Sequence, residues 1–112
     1  MTSRILIGQV AQIPKGEGRT FEVRGRKVAV FHTQGGEVFA TQAECPHQNG
    51  PLADGLTGGA IVICPLHERA YDLRTGQGVG GECTKLQIYP VSVTADGKIW
   101  LALARDNAAS AA

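Results

Sequence analysis

The sequence predicts an all-β domain with many tight turns. Short runs of alternating or β-branched residues dominate the chain, as in exposed-edge and half-buried strands. Glycine is frequent, with 15 in 112 residues, whereas aromatic residues make up only 5%. The 43% hydrophobic content at this length can form one modest core without disulfides. We therefore expect one domain over residues 1–104, built from strands and glycine turns rather than from packed helices.

The predicted elements follow from these runs in chain order. The strands are Phe21–Val23, Lys27–His32, Glu37–Ala43, Ala60–Ile63, Arg69–Leu73, Val91–Ala95 and Lys98–Leu103. Asp96-Gly97 separates the last two and favours a hairpin with a type I′ turn. Val10 to Lys15 is either a strand end or a single helical turn, because Pro14 limits its length. Residues 105–112 are small and polar, and we expect a disordered tail there.

The charge and the apolar pattern exclude several classes of function. The formal net charge is +1 with 19% charged residues, so nothing favours a nucleic-acid or membrane-surface partner. No apolar run approaches the roughly 18 residues of a membrane span. Residues 1–8 lack the longer apolar stretch and cleavage site of a secretory signal. We expect a cytoplasmic protein, in which three cysteines indicate metal binding or free thiols rather than disulfides.

Two cysteine–histidine pairs carry the chemistry of the sequence. Cys45-Pro46-His47 is followed, after 16 residues, by Cys64-Pro65-Leu66-His67. Each pair lies where a predicted strand gives way to a turn that contains proline. Two thiolates and two imidazoles on two loops can hold either a tetrahedral zinc ion or a Rieske-type 2Fe–2S cluster.

The spacing of the two pairs favours the cluster over zinc. Zinc sites tend to group like ligands, as Cys-x₂-Cys followed by His-x₃₋₅-His. Here each loop supplies one cysteine and one histidine, the arrangement expected for a two-iron cluster that lies between two loops. A zinc-binding structural module stays the remote alternative.

The pattern Cys-x-His-x₁₆-Cys-x₂-His, with Pro46 and Pro65 beside it, resembles the Rieske family from about Val10 to Leu103. The resemblance implies a stack of small antiparallel sheets with two cluster-binding loops. It also implies the ligands, which are Cys45 and Cys64 on the buried iron and His47 and His67 on the outer iron. Four such ligands leave no open coordination position, so no substrate chemistry is expected on this chain alone.

The sequence departs from the Rieske proteins of respiratory cytochrome bc complexes. Those proteins carry an extra cysteine in each ligand loop, joined as a disulfide, whereas Gln48-Asn49-Gly50 and Pro65-Leu66 contain none. They also place a serine hydroxyl near the cluster, where this chain has Arg69. Fewer hydrogen bonds to sulfur stabilise the reduced cluster less, so we expect a low potential, as in the soluble ferredoxin branch.

Two groups within that branch resemble this chain, and the sequence favours the first of them over the second. The segments 45–55, 72–76 and 80–83 are similar to the small subunit of assimilatory NAD(P)H nitrite reductase. Ferredoxins of aromatic-ring-hydroxylating dioxygenases share the ligands and the stretch from Leu86 to Val91. Either resemblance implies a flavin-containing reductase as electron donor. The acceptor is then an oxygenase or a sirohaem nitrite reductase large subunit.

Several other residues have a functional and a structural interpretation. Tyr71 either donates its hydroxyl to a ligating cysteine sulfur or only packs in the core. Cys83 is expected to be buried and inert, and His32 is not expected to bind metal. Gly76–Gly81 lacks the strand and helix of a dinucleotide loop and is interpreted as a flexible loop close to the cluster. Charges expected at the rim of the site are those of Glu44, Glu68 and Arg69.

Overall fold

The chain forms three small antiparallel sheets in a computed structural model, which describes residues 2–44, 51–64, 70–79 and 85–104. Its strands are β1 (Thr2–Gln9), β2 (Glu17–Val23), β3 (Arg26–His32), β4 (Val38–Gln42), β5 (Leu56–Gly58), β6 (Ile61–Ile63), β7 (Ala70–Asp72), β8 (Ile88–Tyr89), β9 (Val91–Val93) and β10 (Lys98–Ala104). The helical elements in the same ranges are two 3-10 turns, Val10–Gln12 and Leu52–Asp54. The all-β class is confirmed.

The three sheets have the strand orders β1-β10-β9, β2-β3-β4-β8 and β5-β6-β7. All pairings are antiparallel. The first predicted ligand loop, residues 45–50, precedes the third sheet in sequence, and residues 65–69 connect two strands of that sheet, β6 and β7. None of the helices in the described ranges is long and apolar enough to span a membrane.

Strand β3 serves two cores because its successive side chains point to opposite faces. Val28 and Val30 join one core with residues of β10, whereas Ala29 and Phe31 join a second core with the third sheet. All four side chains are buried, which explains why β3 is a nearly continuous apolar run rather than an alternating one. This double burial fixes the third sheet, and with it the bases of the ligand loops, against the middle sheet.

Each predicted strand overlaps an observed one, but three observed strands were missed. No strand was predicted before Val10, although β1 pairs along the whole of β10. Its register shifts between Leu6 and Gly8, so the alternation that identifies a strand breaks there. Strands β5 and β8 are only three and two residues long, too short for a periodicity to be visible. A strand end or a single helical turn was predicted for Val10 to Lys15, and the structure has a helical turn there, at Val10–Gln12.

The predicted type I′ turn at Asp96-Gly97 is wrong. Thr94 N–H donates to the Lys98 carbonyl and Gly97 N–H donates to the Thr94 carbonyl, which leaves a three-residue loop. A type I′ turn needs a positive φ at both of its central residues. Gly97 has φ 84°, but the φ of Asp96 is not positive, because Arg24 is the one described non-glycine residue with a positive φ. The loop therefore has three residues instead of two, and only the last of them has the left-handed conformation. The Thr94 hydroxyl also donates to Asp96 and lowers the pKa of that carboxyl.

A two-residue turn with both central φ angles positive occurs instead between β2 and β3. Val23 pairs with Arg26, and the intervening Arg24 and Gly25 have φ 52° and 80°. This pattern is that of a type I′ turn, which favours Asn-Gly. Arginine is therefore held in a left-handed conformation that costs about 1–2 kcal/mol for a residue other than glycine.

We expect Arg24→Asn to stabilise the protein by about 0.5–1 kcal/mol, because asparagine tolerates this conformation better. Thermal unfolding should then occur a few degrees higher, on the order of 3–6 °C. Arg24→Ala is the control, since it removes the same side chain and keeps the strain. Equal melting temperatures for the two variants would contradict this account of the turn.

Candidate metal centre

Cys64 is the one predicted ligand that lies among the described residues. It follows the last residue of β6 and its side chain is fully buried as a free thiol. It packs in the same core as Val62, Tyr71 and Leu73. Cys45, His47 and His67 lie outside the described residues.

The first predicted ligand loop has a closed base. Leu52 N–H donates to the Ala43 carbonyl at 2.9 Å, and Glu44 forms an antiparallel bridge with Pro51. The chain therefore enters residues 45–50 and leaves them at neighbouring positions. Leu52 is fully buried in the same core as Cys64, which joins this base to the second ligand loop.

The second predicted ligand loop is a connection between two adjacent strands. Ile63 of β6 pairs with Ala70 of β7, so the two ends of residues 64–69 are neighbours across the sheet. The pairing of Val62 with Tyr71 continues this register. The two residues that flank this loop therefore lie at one end of the third sheet.

Gly55 brings the two loop bases into direct contact. It ends the 3-10 turn that follows the first loop, and its N–H donates to the Leu52 carbonyl. A Cβ at this position would lie closer than 3.0 Å to the carbonyl oxygen of Ile63, the residue before Cys64. Its φ of −79° is one that any residue adopts, so the close approach alone requires glycine.

The segment after β7 is hydrogen-bonded in its described part, which corrects the interpretation of Gly76–Gly81 as a flexible loop. Asp72 N–H donates to the Gln77 carbonyl and Val79 N–H donates to the Ala70 carbonyl, each at 2.9 Å. Residues 76–79 thus run alongside β7. Gly80, Gly81 and Cys83 lie outside the described residues.

Tyr71 is fully buried beside Val62 and Cys64 in the core of the third sheet. A hydrogen bond to a ligating sulfur and a packing role alone both require a buried ring, so the burial does not distinguish between them. The hydrogen bond from its hydroxyl to a ligating sulfur stays a prediction.

The remaining predictions concern charges and His32. Glu44 is exposed, as expected for the rim, whereas Glu68 and Arg69 lie outside the described residues. His32 is buried and its Nδ1 lies 2.7 Å from the Ile13 carbonyl, to which an Nδ1–H donates. Over the described ranges no three His, Cys, Asp or Glu side chains form a metal-binding group. The hydrogen bond from His32 to Ile13 joins β3 to the turn before β2.

The donor set fits an iron–sulfur cluster better than an isolated thiol function. A thiolate buried among apolar side chains is costly unless a metal or another cation neutralises it. Cys64 occupies such a position directly after β6. Small antiparallel sheets in a chain with two Cys/His segments define a class of β domain in which a metal centre is expected.

The comparisons identify the family. The sequence profile of the Rieske-like 2Fe-2S domain matches residues 5–102. The 3-phenylpropionate/cinnamic acid dioxygenase ferredoxin subunit of Photorhabdus laumondii is 35% identical over 94% of this chain and 99% of its own. The ferredoxin component of the naphthalene 1,2-dioxygenase/salicylate 5-hydroxylase systems of a Ralstonia species is 33% identical over 72% of this chain and 78% of its own. This chain belongs to the Rieske-like 2Fe–2S family.

Solved structures agree with the fold. A ferredoxin of Sphingomonas yanoikuyae B1 has a TM-score of 0.80 at 30% identity and covers 91% of this chain and 100% of its own. A protein described as an NADH-dependent nitrite reductase small subunit of Mycobacterium tuberculosis has a TM-score of 0.85 at 22% identity, over 93% and 97% of the two chains. As a member of this family the chain holds a Rieske-type 2Fe–2S cluster and transfers electrons.

Proposed function

We propose that Cys45, His47, Cys64 and His67 are the four cluster ligands, with the two cysteines on one iron and the two histidines on the other. The observation that carries this proposal is the burial of the Cys64 thiol next to the closed base of the loop that contains Cys45. The sequence spacing supplies the other three ligands. A bound cluster of this type takes up and releases one electron at a time.

The chain itself contributes binding, exclusion of water and an exit for the electron. The apolar side chains around Cys64 exclude water from the thiolate side of the site. The two histidines are the proposed exit, at the end where Pro51 and Val79 are exposed beside the loop bases. Four protein ligands leave neither iron an open coordination position for a substrate. The chain therefore carries electrons and makes no bonds in a substrate.

We propose that the acceptor is the terminal oxygenase of an aromatic-ring dioxygenase system and the donor a flavin-containing reductase. Identities of 33–35% to ferredoxin components of such systems support this role. The second candidate is the small subunit of a nitrite reductase whose large subunit contains sirohaem. The TM-score of 0.85 to a protein described as an NADH-dependent nitrite reductase small subunit favours it. The cytoplasm is the expected location for either role.

The two roles differ in which enzyme reoxidises the reduced protein. The dithionite-reduced protein is mixed anaerobically, in a stopped-flow instrument, with a purified terminal oxygenase or sirohaem reductase encoded in the same genome. We expect rapid return of the oxidised spectrum with the oxygenase. Reoxidation by the sirohaem enzyme alone would contradict the first role and support the second.

We also propose that residues 105–112 are a tail that the domain does not need. The family match ends at residue 102 and β10 ends at Ala104. A chain shortened after Ala104 is expected to keep the iron content and visible spectrum of the full chain. Loss of iron on shortening would extend the domain to its last residues.

Tyr71→Phe tests the proposed hydrogen bond from the buried hydroxyl to a ligating sulfur. Rieske centres span about −150 to +300 mV, and we expect this protein in the lower part, roughly −150 to 0 mV. Loss of one hydrogen bond to sulfur should lower the midpoint potential further, by some tens of millivolts, without loss of iron. Tyr89→Phe, at a half-buried tyrosine of the middle sheet, is the control. An unchanged potential in Tyr71→Phe would leave the ring with a packing role only.

A further inference from the structure

We propose that Gln42 is a positioning residue for the first ligand loop, because its side-chain amide ties the start of β8 to the backbone that leads into Cys45. The inference rests on the proposed ligand set. Gln42 is the last residue of β4 and its side chain is half-buried. It contains neither a metal-binding nor a redox group, so its role follows from its hydrogen bonds.

Three hydrogen bonds join Gln42 to Gln87 and to Glu44. Its backbone N–H donates to the Gln87 carbonyl at 2.8 Å, and its side-chain Oε1 accepts the Gln87 N–H at 2.7 Å. Its Nε2 donates to the Glu44 carbonyl, also at 2.7 Å. Both ends of the amide are therefore used, one toward β8 and the other toward the residue before Cys45.

The Gln42 side chain takes the place of one backbone hydrogen bond at the point where the pairing of β4 with β8 ends. β4 and β8 pair at Ala40–Tyr89 and Thr41–Ile88. Beyond Thr41 the side chain of Gln42 satisfies the Gln87 N–H, which leaves the β4 backbone free to diverge into the first loop. The Glu44 carbonyl is then held by the same amide rather than by a neighbouring strand.

The contacts of Gln87 extend this link to the second ligand loop. Leu86, the residue before it, is buried in the core with Cys64. The Leu86 N–H donates to the Gly76 carbonyl and the Gly76 N–H donates to the Asp72 carbonyl, each at 2.7 Å. A Cβ at Gly76 would lie closer than 3.0 Å to the Leu86 carbonyl, so these segments are in close contact. Gln42 thereby couples the entry to the first loop with β7, which follows the second.

Two substitutions separate the two ends of the amide. Gln42→Met keeps the length of the side chain and removes both side-chain bonds. Gln42→Glu keeps the oxygen that accepts the Gln87 N–H and loses the donor to Glu44. We expect both variants to release iron to an excess of chelator about fivefold faster than wild type, with broadened EPR lines of the reduced cluster. Amide exchange at Gln87, followed by mass spectrometry in the cluster-loaded protein, should rise in Gln42→Met only.

Two controls separate positioning from a change of charge or of overall stability. Gln87→Glu adds the same negative charge nearby. Its backbone N–H and carbonyl keep their hydrogen bonds to Gln42, because neither involves the side chain of residue 87. Val30→Ala destabilises the core on the opposite face of β3. Both should keep the wild-type EPR line shape and release iron less than twofold faster. A Gln42→Glu protein that behaves as wild type, or a Val30→Ala protein that matches Gln42→Met, would overturn the role of Gln42. A wild-type protein without a Rieske EPR signal would instead contradict the proposed ligand set.

Discussion

Cys64→Ala is expected to abolish cluster binding. The variant loses one of the two proposed thiolate ligands, and the buried position after β6 is closed to solvent. Changes to residues that merely support metal ligands weaken binding about 10- to 100-fold, so the loss of a ligand should leave less than about a tenth of the wild-type iron. Iron per chain and the visible spectrum after purification measure the effect.

Cys83→Ala is the matched control, because it makes the same chemical change at the third cysteine of the chain. The sequence assigns no ligand role to Cys83, so this variant should keep its full iron content. Full iron in Cys64→Ala would remove Cys64 from the ligand set. Equal iron loss in both variants would show that Cys83 takes part in the site.

Gly55→Ala is expected to destabilise the protein strongly. The added Cβ would overlap the Ile63 carbonyl and press on the Leu52 carbonyl, both of them backbone atoms. Over-packing of this kind costs about 1–3 kcal/mol, and backbone neighbours place the cost at the upper end of that range. The melting temperature should fall by roughly 8–20 °C, and iron should be lost because Ile63 precedes Cys64.

Gly58→Ala provides the comparison within the same small sheet. Gly58 ends β5, is exposed, and would place its Cβ more than 4 Å from every described atom outside its own and the two adjacent residues. Its stability should stay within about 0.5 kcal/mol of wild type. A Gly55→Ala protein that melts together with Gly58→Ala would show that the two loop bases can move apart without cost.

The cluster family could be predicted, and a ligand set proposed, because both depend on residue type and short spacing. One cysteine and one histidine in each of two loops distinguish a cluster that bridges two loops from a typical zinc site. The apolar run of β3 and the glycine-rich turns likewise indicated an all-β chain. These features are local, so the sequence displays them directly.

The contacts that position the site could not be predicted in the same way. Gly55 stands in a motif of polar and small residues, and only the approach of Ile63 shows why a side chain is excluded. Gln42 is one of several glutamines, and its value depends on Gln87, which is 45 residues away. β1 was missed because its alternation is interrupted where the register shifts. Each of these depends on a contact between distant parts of the chain.

Metal and sulfide analysis of the purified protein, combined with EPR of the reduced form, distinguishes the cluster from a zinc site. We expect a red-brown protein with about two irons and about two acid-labile sulfides per chain and a Rieske EPR signal. A colourless protein with about one zinc per chain, held by the same cysteines and histidines, would contradict this expectation.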